Sequence, residues 1–217
     1  YDFVSIGHIT TYCFIQLKDA EVLMDHGVRE FSVRFGAPVP TAAAPAIRAV
    51  GNATNAAVAA RKIGLSSAFV TWMGDDENGA HCLETLRGHD VADEFVTIQK
   101  GKKTNYHYVL MYGPERTILI KHEAYDYHMP AFAEAPRYIY FSSISESAKE
   151  FHHEVARYVA ANPESKLVFQ PGTFQIELGA EELKDIYAVT NIFFCNKEEA
   201  QQILKTEEPD VKRLMEG

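Results

Sequence analysis

The chain has 217 residues, a formal net charge of −9, and 47% hydrophobic and 24% charged residues, the balance of a globular fold with a sizeable core. Its acidity argues against nucleic acid as a partner, since phosphate binding needs clustered Lys and Arg. No window approaches the roughly 18 uninterrupted apolar residues of a membrane span. The one short basic run, Lys100-Gly-Lys-Lys103, reads as a solvated turn. Cys13, Cys82 and Cys195 are an odd number without metal-ligand spacing. With no charged-then-apolar leader in view, the expectation is a cytoplasmic protein with reduced thiols.

In chain order, Asp2–Gly7 is an apolar run closed by glycine and predicts a core strand. Thr10–Leu17 alternates polar and apolar residues, and residues 20–50 carry turn signals at Asp25-His-Gly27 and Gly36-Ala-Pro38 that favour short strands. Asn52–Ile63 is Ala-rich with a small apolar face and a Gly64 stop, which predicts a helix lying close on a sheet. Ser67–Trp72 follows as a core strand and Gly79–Leu86 as a helix. Glu94–Ile98, Asn105–Tyr112 and Arg116–Lys121 are β-rich, the last two joined by a hairpin at Gly113-Pro-Glu115. These three strands are expected outside the main sheet, joined to the β-rich patch of residues 10–50. From Tyr138 the rhythm alternates: strand 138–142, helix 146–161, strand 166–170, helix 180–187, strand 191–195 and helix 197–204. Strands separated by helices imply a mostly parallel sheet covered on both faces. The fold class is α/β, one domain over 1–217 with a β-rich lid from about 11–48 and 97–126. The chain starts directly in a strand and stops inside a helical pattern, so it is expected to be incomplete.

Ligands of open parallel sheets collect beyond the carboxyl ends of the strands. The turns at Gly7-His8, Gly74-Asp-Asp76, Pro171-Gly172 and Asn196-Lys-Glu-Glu199 follow strands, and Gly51–Asn55 would join them from the lid side. With Gly51-Asn-Ala-Thr-Asn55, the following helix to Gly64, Gly74-Asp-Asp-Glu-Asn-Gly79 and Asn196-x-x-Glu199 in this order, the chain resembles the ribokinase-like (PfkB) carbohydrate kinase family, which includes nucleoside kinases. The resemblance runs from Phe3 to about Leu204. It implies a ribokinase-like fold that transfers the γ-phosphoryl group of ATP, with Mg²⁺, to a hydroxyl of a sugar or nucleoside. It also implies substrate contacts from Gly51, Asn52, Asn55 and the lid threonine Thr104, and a role for Asn196 and Glu199 in holding Mg²⁺ through water.

Three departures accompany it. Tyr12 stands where the family has an aspartate that grips substrate hydroxyls, and Val50 stands for the first glycine of a Gly-Gly pair. The family's Gly-Ala-Gly-Asp segment, with the catalytic base, lies beyond Asn-x-x-Glu and is not reached, so no catalytic residue is expected in this chain, which alone would be inactive. A non-catalytic sugar- or nucleoside-binding or assembly subunit is therefore the alternative. Dinucleotide binding fares worse, because no Gly-x-Gly-x-x-Gly follows the first strand.

Plainer readings stand beside these. Asn55 would simply cap the Ala-rich helix, Asp75 and Asp76 would shape a turn and cap the next helix, and Asn196 with Glu199 would form a capping box. Arg116 reads as a solvated edge charge, His152-His153 as solvent-facing, and no histidine spacing suggests zinc. Tyr12, Asn105 and Tyr106 make the expected pocket aromatic, tilting the substrate toward a nucleoside or larger sugar. Exposed lid strands could pair with a second copy as a homodimer.

Overall fold

A computed structural model describes residues 1–215. The chain enters through β1 (Phe3–Ile6) and then forms β2 (Thr10–Leu17), β3 (Glu21–Asp25), β4 (Val28–Ser32), β5 (Thr41–Ala43) and β6 (Ala46–Val50) before its first helix, α1 (Asn52–Lys62). β7 (Ser67–Gly74), α2 (Glu77–Gly88), β8 (Val96–Gln99), β9 (Asn105–Tyr112) and β10 (Glu115–Leu119) follow. The remainder alternates through β11 (Tyr138–Phe141), α3 (Lys149–Ala161), β12 (Lys166–Phe169), α4 (Thr173–Leu178), α5 (Lys184–Val189), β13 (Thr190–Phe193), α6 (Lys197–Leu204) and α7 (Val211–Leu214).

Six strands make one parallel sheet in the order β13-β12-β11-β1-β7-β8. Period-two alternation splits their side chains between two apolar layers. Val4, Ile6, Val70, Trp72, Ile139, Phe141, Leu167 and Phe169 pack with Phe151, Val155 and Val159 of α3. Phe69, Met73, Tyr140 and Val168 pack with Ala53 and Ala57 of α1 and with Cys82 and Leu86 of α2. Trp72 meets Phe151 and Tyr127 edge-on at 5.0 and 4.8 Å between ring centroids, contacts worth about 0.5–1.5 kcal/mol each beyond area burial. The strand order reverses beside β1: the chain moves outward through β7 and β8, then returns to β11 on the other side. A crevice at such a switch point is where open parallel sheets bind ligands.

The two β-rich patches do join as one lid sheet. β2 lies at its centre, parallel to β9 and antiparallel to β5 and β6, with β10 completing the edge. The β3–β4 hairpin forms a separate two-stranded sheet; it leans on the lid through Phe31 and Tyr112 and leaves Met24 67% exposed.

Three expectations need correction. β8 belongs to the main sheet, not the lid, because Val96–Gln99 pairs parallel with Thr71–Gly74. The helix expected over 180–187 is displaced: Gly179, at φ 86°, separates the short α4 from α5. His152 is buried rather than solvent-facing, with Nδ1 on the Ala148 carbonyl at 2.7 Å and Nε2 on Gln175 at 3.1 Å. Among the described residues no helix is long and apolar enough to cross a membrane.

Candidate functional site

Two loops deliver the floor of the site. β1 ends in the switch-point crevice, where the His8 amide donates to the Ser143 carbonyl at 3.0 Å and fixes the chain's turn toward the lid. The second loop leaves β6 through a bulge. Tyr12 pairs Ile47 and Thr10 pairs Val50, so two residues, Arg48 and Ala49, oppose Thr11 alone. Ala49 sits in the left-handed region at φ 53°, a strained conformation for a residue with a Cβ that only the surrounding structure can hold. The bulge hands the chain to Gly51 at φ 118° and ψ 159°, a region essentially reserved for glycine.

α1 then starts without a side-chain cap and without an acidic residue in its first turn. Its first backbone N–H groups are therefore left as donors for whatever enters the space in front of them. Asn55 does not cap the helix. It lies one turn inside α1, is exposed, and opens into the same space as Asn52.

Asn52 also lines a cavity of about 190 Å³ between the main sheet and the lid, together with His8, Thr10, His107, His122, Pro171, Gly172, the start of α4 and Glu199. It adjoins a second cavity of about 380 Å³ onto which Phe14, Asn55 and Arg116 open. Tyr12, Gly51, Asn52 and Ile118 line both. The structure thus brings together Tyr12, Gly51, Asn52 and Asn55, with Glu199 at the far wall. Tyr12 stacks on His107 at 5.4 Å, and burial raises its phenol pKa against the pull of Arg116.

Thr104 is not with them. Its hydroxyl donates to the Asp76 carboxylate at 2.6 Å and accepts from the Gly74 amide at 3.1 Å. Asp76 also accepts from the backbone amides of Thr104 at 3.2 Å and of Gly79 at 3.0 Å, the latter as N-cap of α2. Thr104 therefore ties the root of the lid to the end of β7. Asp75 shapes the same turn by accepting from the Gly101 amide at 2.8 Å. Burial raises the Asp76 pKa, but the bonds from Thr104 and Gly79 outweigh it and hold the carboxyl below its ordinary value of 3.8. Asp76→Ala is expected to cost about 1–2 kcal/mol at neutral pH. A folded pKa below the unfolded one gives stability that is complete above the ordinary value and disappears as pH falls through the folded value. Urea unfolding at pH 7 and pH 3 should show the gap to wild type closing on acidification; a constant gap would contradict the assignment.

Asn196 and Glu199 form the reciprocal capping box of α6, with the Asn196 amide on Glu199 Oε2 at 2.9 Å and the Glu199 amide on Asn196 Oδ1 at 2.8 Å. Among the described residues no group of three His, Cys, Asp or Glu side chains converges to hold a metal ion. The cap uses one Glu199 oxygen and leaves Oε1, on a residue that faces the cavity. A single carboxylate suits a hydrated Mg²⁺ held through water and would not suffice as a direct cage.

Several site residues escaped the sequence. His8, His107 and His122 meet across the cavity with ring centroids 3.9, 5.2 and 6.4 Å apart. Tyr106 turns away from the cavity and meets Tyr108 at a tilt, with ring centroids 5.2 Å apart. The Asn105 side chain is committed to the Ile9 carbonyl and the Glu123 amide. Along β9, residues 105, 107 and 109 are buried while 106, 108 and 110 are more exposed, which turns His107 inward, but the strand's mix of polar and aromatic residues on both faces carries no mark of it. Arg116, read as a solvated charge, lines the cavity while remaining exposed.

Comparison with known proteins identifies the family and the fold. Residues 20–216 match the pfkB family carbohydrate kinase, and the chain belongs to that family. It shares the fold of a Methanocaldococcus jannaschii nucleoside kinase of the ribokinase family, at TM-score 0.75 and 15% identity over 99% of this chain and 67% of that one. Similar matches are Arabidopsis thaliana ribokinase complexed with ribose and ATP (TM-score 0.72, 17% identity, 99% and 66% covered) and Cryptococcus neoformans ribokinase with ADP (0.69, 18%, 99% and 64%). The chain thus spans about two thirds of the length of these relatives. A comparison with curated proteins finds no match.

Proposed function

We propose that this chain carries the acceptor side of an ATP-dependent kinase that phosphorylates a hydroxyl of a sugar or nucleoside. The observation that carries the reading is the uncapped start of α1, with Gly51, Asn52 and Asn55 turned into one cavity under the lid, and with Gly51 and Asn52 also lining the adjoining cavity at the switch point of the sheet. Gly51 allows a ligand to approach the backbone closely. Asn52 and Asn55 each offer an amide that donates to one hydroxyl oxygen and accepts from another. The first N–H groups of α1 add donors at the same edge. The lid strands β2, β9 and β10 exclude water by covering the cavity. When bound, MgATP supplies the phosphoryl group and the charge that neutralises it. Asn196 and Glu199 would hold the ion through water.

Glu199→Gln separates the two roles of that residue, because glutamine can still complete a capping box. Stability should stay within about 0.5 kcal/mol of wild type, while half-saturating Mg²⁺ in the kinase assay rises about tenfold. An unchanged Mg²⁺ requirement would remove Glu199 from the metal shell. A second reading, a non-catalytic binding or assembly subunit, is favoured by Tyr12, whose ring occupies the aspartate position of the family and stacks on His107. A thermal-shift and turnover screen of the full-length protein against sugars and nucleosides with MgATP distinguishes the readings. Phosphorylated product supports the kinase, stabilisation without turnover supports the binder, and no response to either class sinks both.

A further inference from the structure

We propose that His8, His107 and His122 form the hydrogen-bonding wall of the acceptor cavity and take up the hydroxyls of an uncharged polyhydroxylated ligand. This rests on reading the cavity as the acceptor site. The three rings come from a β1 loop, the lid strand β9 and the segment after β10, so they meet only in the fold. His107 is 3% exposed, and among the described residues neither of its ring nitrogens has a hydrogen-bond partner, nor does Nδ1 of His122. A buried polar atom left unpaired costs free energy that a ligand hydroxyl recovers on binding. These nitrogens have no structural task, unlike those of His152, which are both engaged.

Burial also keeps the three rings neutral. Burial pushes His107 down to about 4, with the Lys121 carbonyl pulling weakly upward from outside hydrogen-bond geometry. Burial, followed by the proximity of His107, brings His122 to about 4. His8 lies well below its usual range through burial, then through His122 and His107. Three neutral imidazoles present one donor and one acceptor each, a match for adjacent hydroxyls. Nearby rings disfavour a second charge once one is protonated.

The test uses protein labelled with ¹⁵N-histidine, titrated with ribose, fructose, adenosine and ribose 5-phosphate at pH 7. An uncharged probe that binds should shift the ring nitrogens of His107 while those of His152 stay in place, with no imidazole gaining a proton. His107→Phe keeps a ring against Tyr12 but removes both polar atoms. It should raise Kd for that probe about tenfold, and His107→Gln should recover part of the loss. The inference is overturned if a bound probe leaves the His107 nitrogens unmoved, if His107→Phe leaves Kd unchanged, or if ribose 5-phosphate binds better with imidazole protonation. If no uncharged probe binds the wild type, the functional reading itself fails and this inference falls with it.

Discussion

Gly74→Ala is expected to lower stability by about 3 kcal/mol, the upper end of the usual cost of overpacking. Gly74 closes β7 in the buried centre of the molecule, and the backbone of Lys102 and Lys103 crosses directly over its Cα. A Cβ there would collide with the Lys102 carbonyl and stand 2.7 Å from the Lys103 carbonyl carbon. Backbone cannot step aside as a flexible side chain can, and this stretch is the root from which β9 rises into the lid. The Thr104 hydroxyl that accepts from the Gly74 amide would be displaced with it. Gly88 provides the comparison: it ends α2, and nothing lies within 4 Å of its virtual Cβ. Gly88→Ala should be neutral or stabilising by less than about 1 kcal/mol. Urea unfolding of both variants checks the pair, and a Gly74→Ala protein as stable as wild type would refute the packing at the lid root.

Gly51→Ala is the second large effect, and it should appear in binding as well as stability. At φ 118° and ψ 159° an alanine is strained by about 1–3 kcal/mol, and its Cβ would lie 3.2 Å from the His8 carbonyl oxygen. Relief of that strain moves the start of α1, and with it Asn52 and Asn55. Affinity for the acceptor should fall tenfold or more, since about 1.4 kcal/mol of misplacement suffices for a factor of ten. Gly64, just past the other end of α1, has φ 95° with nothing within 4 Å of its virtual Cβ. Gly64→Ala should therefore lose about 1 kcal/mol of stability while leaving affinity alone. Thermal melts and titration of both variants separate the effects; equal losses of affinity would mean that Gly51 has no special place in the site.

Much of this architecture was legible because its signals are local. The apolar runs of β1, β7, β11 and β12 announced buried parallel strands, and the Ala-rich α1 announced close packing. The capping boxes and turns at Asp76 and Asn196 were readable from short spacings. β8 was misplaced because four half-exposed residues carry no mark of which sheet will receive them; the pairing with Thr71–Gly74 decides it. Thr104 was taken for a ligand contact, yet its partners Gly74 and Asp76 lie about thirty positions away and satisfy it within the chain. The histidine wall was invisible for the same reason. His8, His107 and His122 have no mutual spacing in sequence, and only the parallel pairing of β2 with β9 sets His107 beside Tyr12.

The central claim is that the cavity between α1 and the lid receives a sugar or nucleoside. Calorimetric titration of the strongest ligand from the screen into wild type and Asn55→Ala tests it most directly. The predicted result is one site per chain in wild type and an affinity about tenfold weaker in Asn55→Ala, with the two proteins equally stable. Equal affinity in both proteins would place the ligand elsewhere and contradict the account.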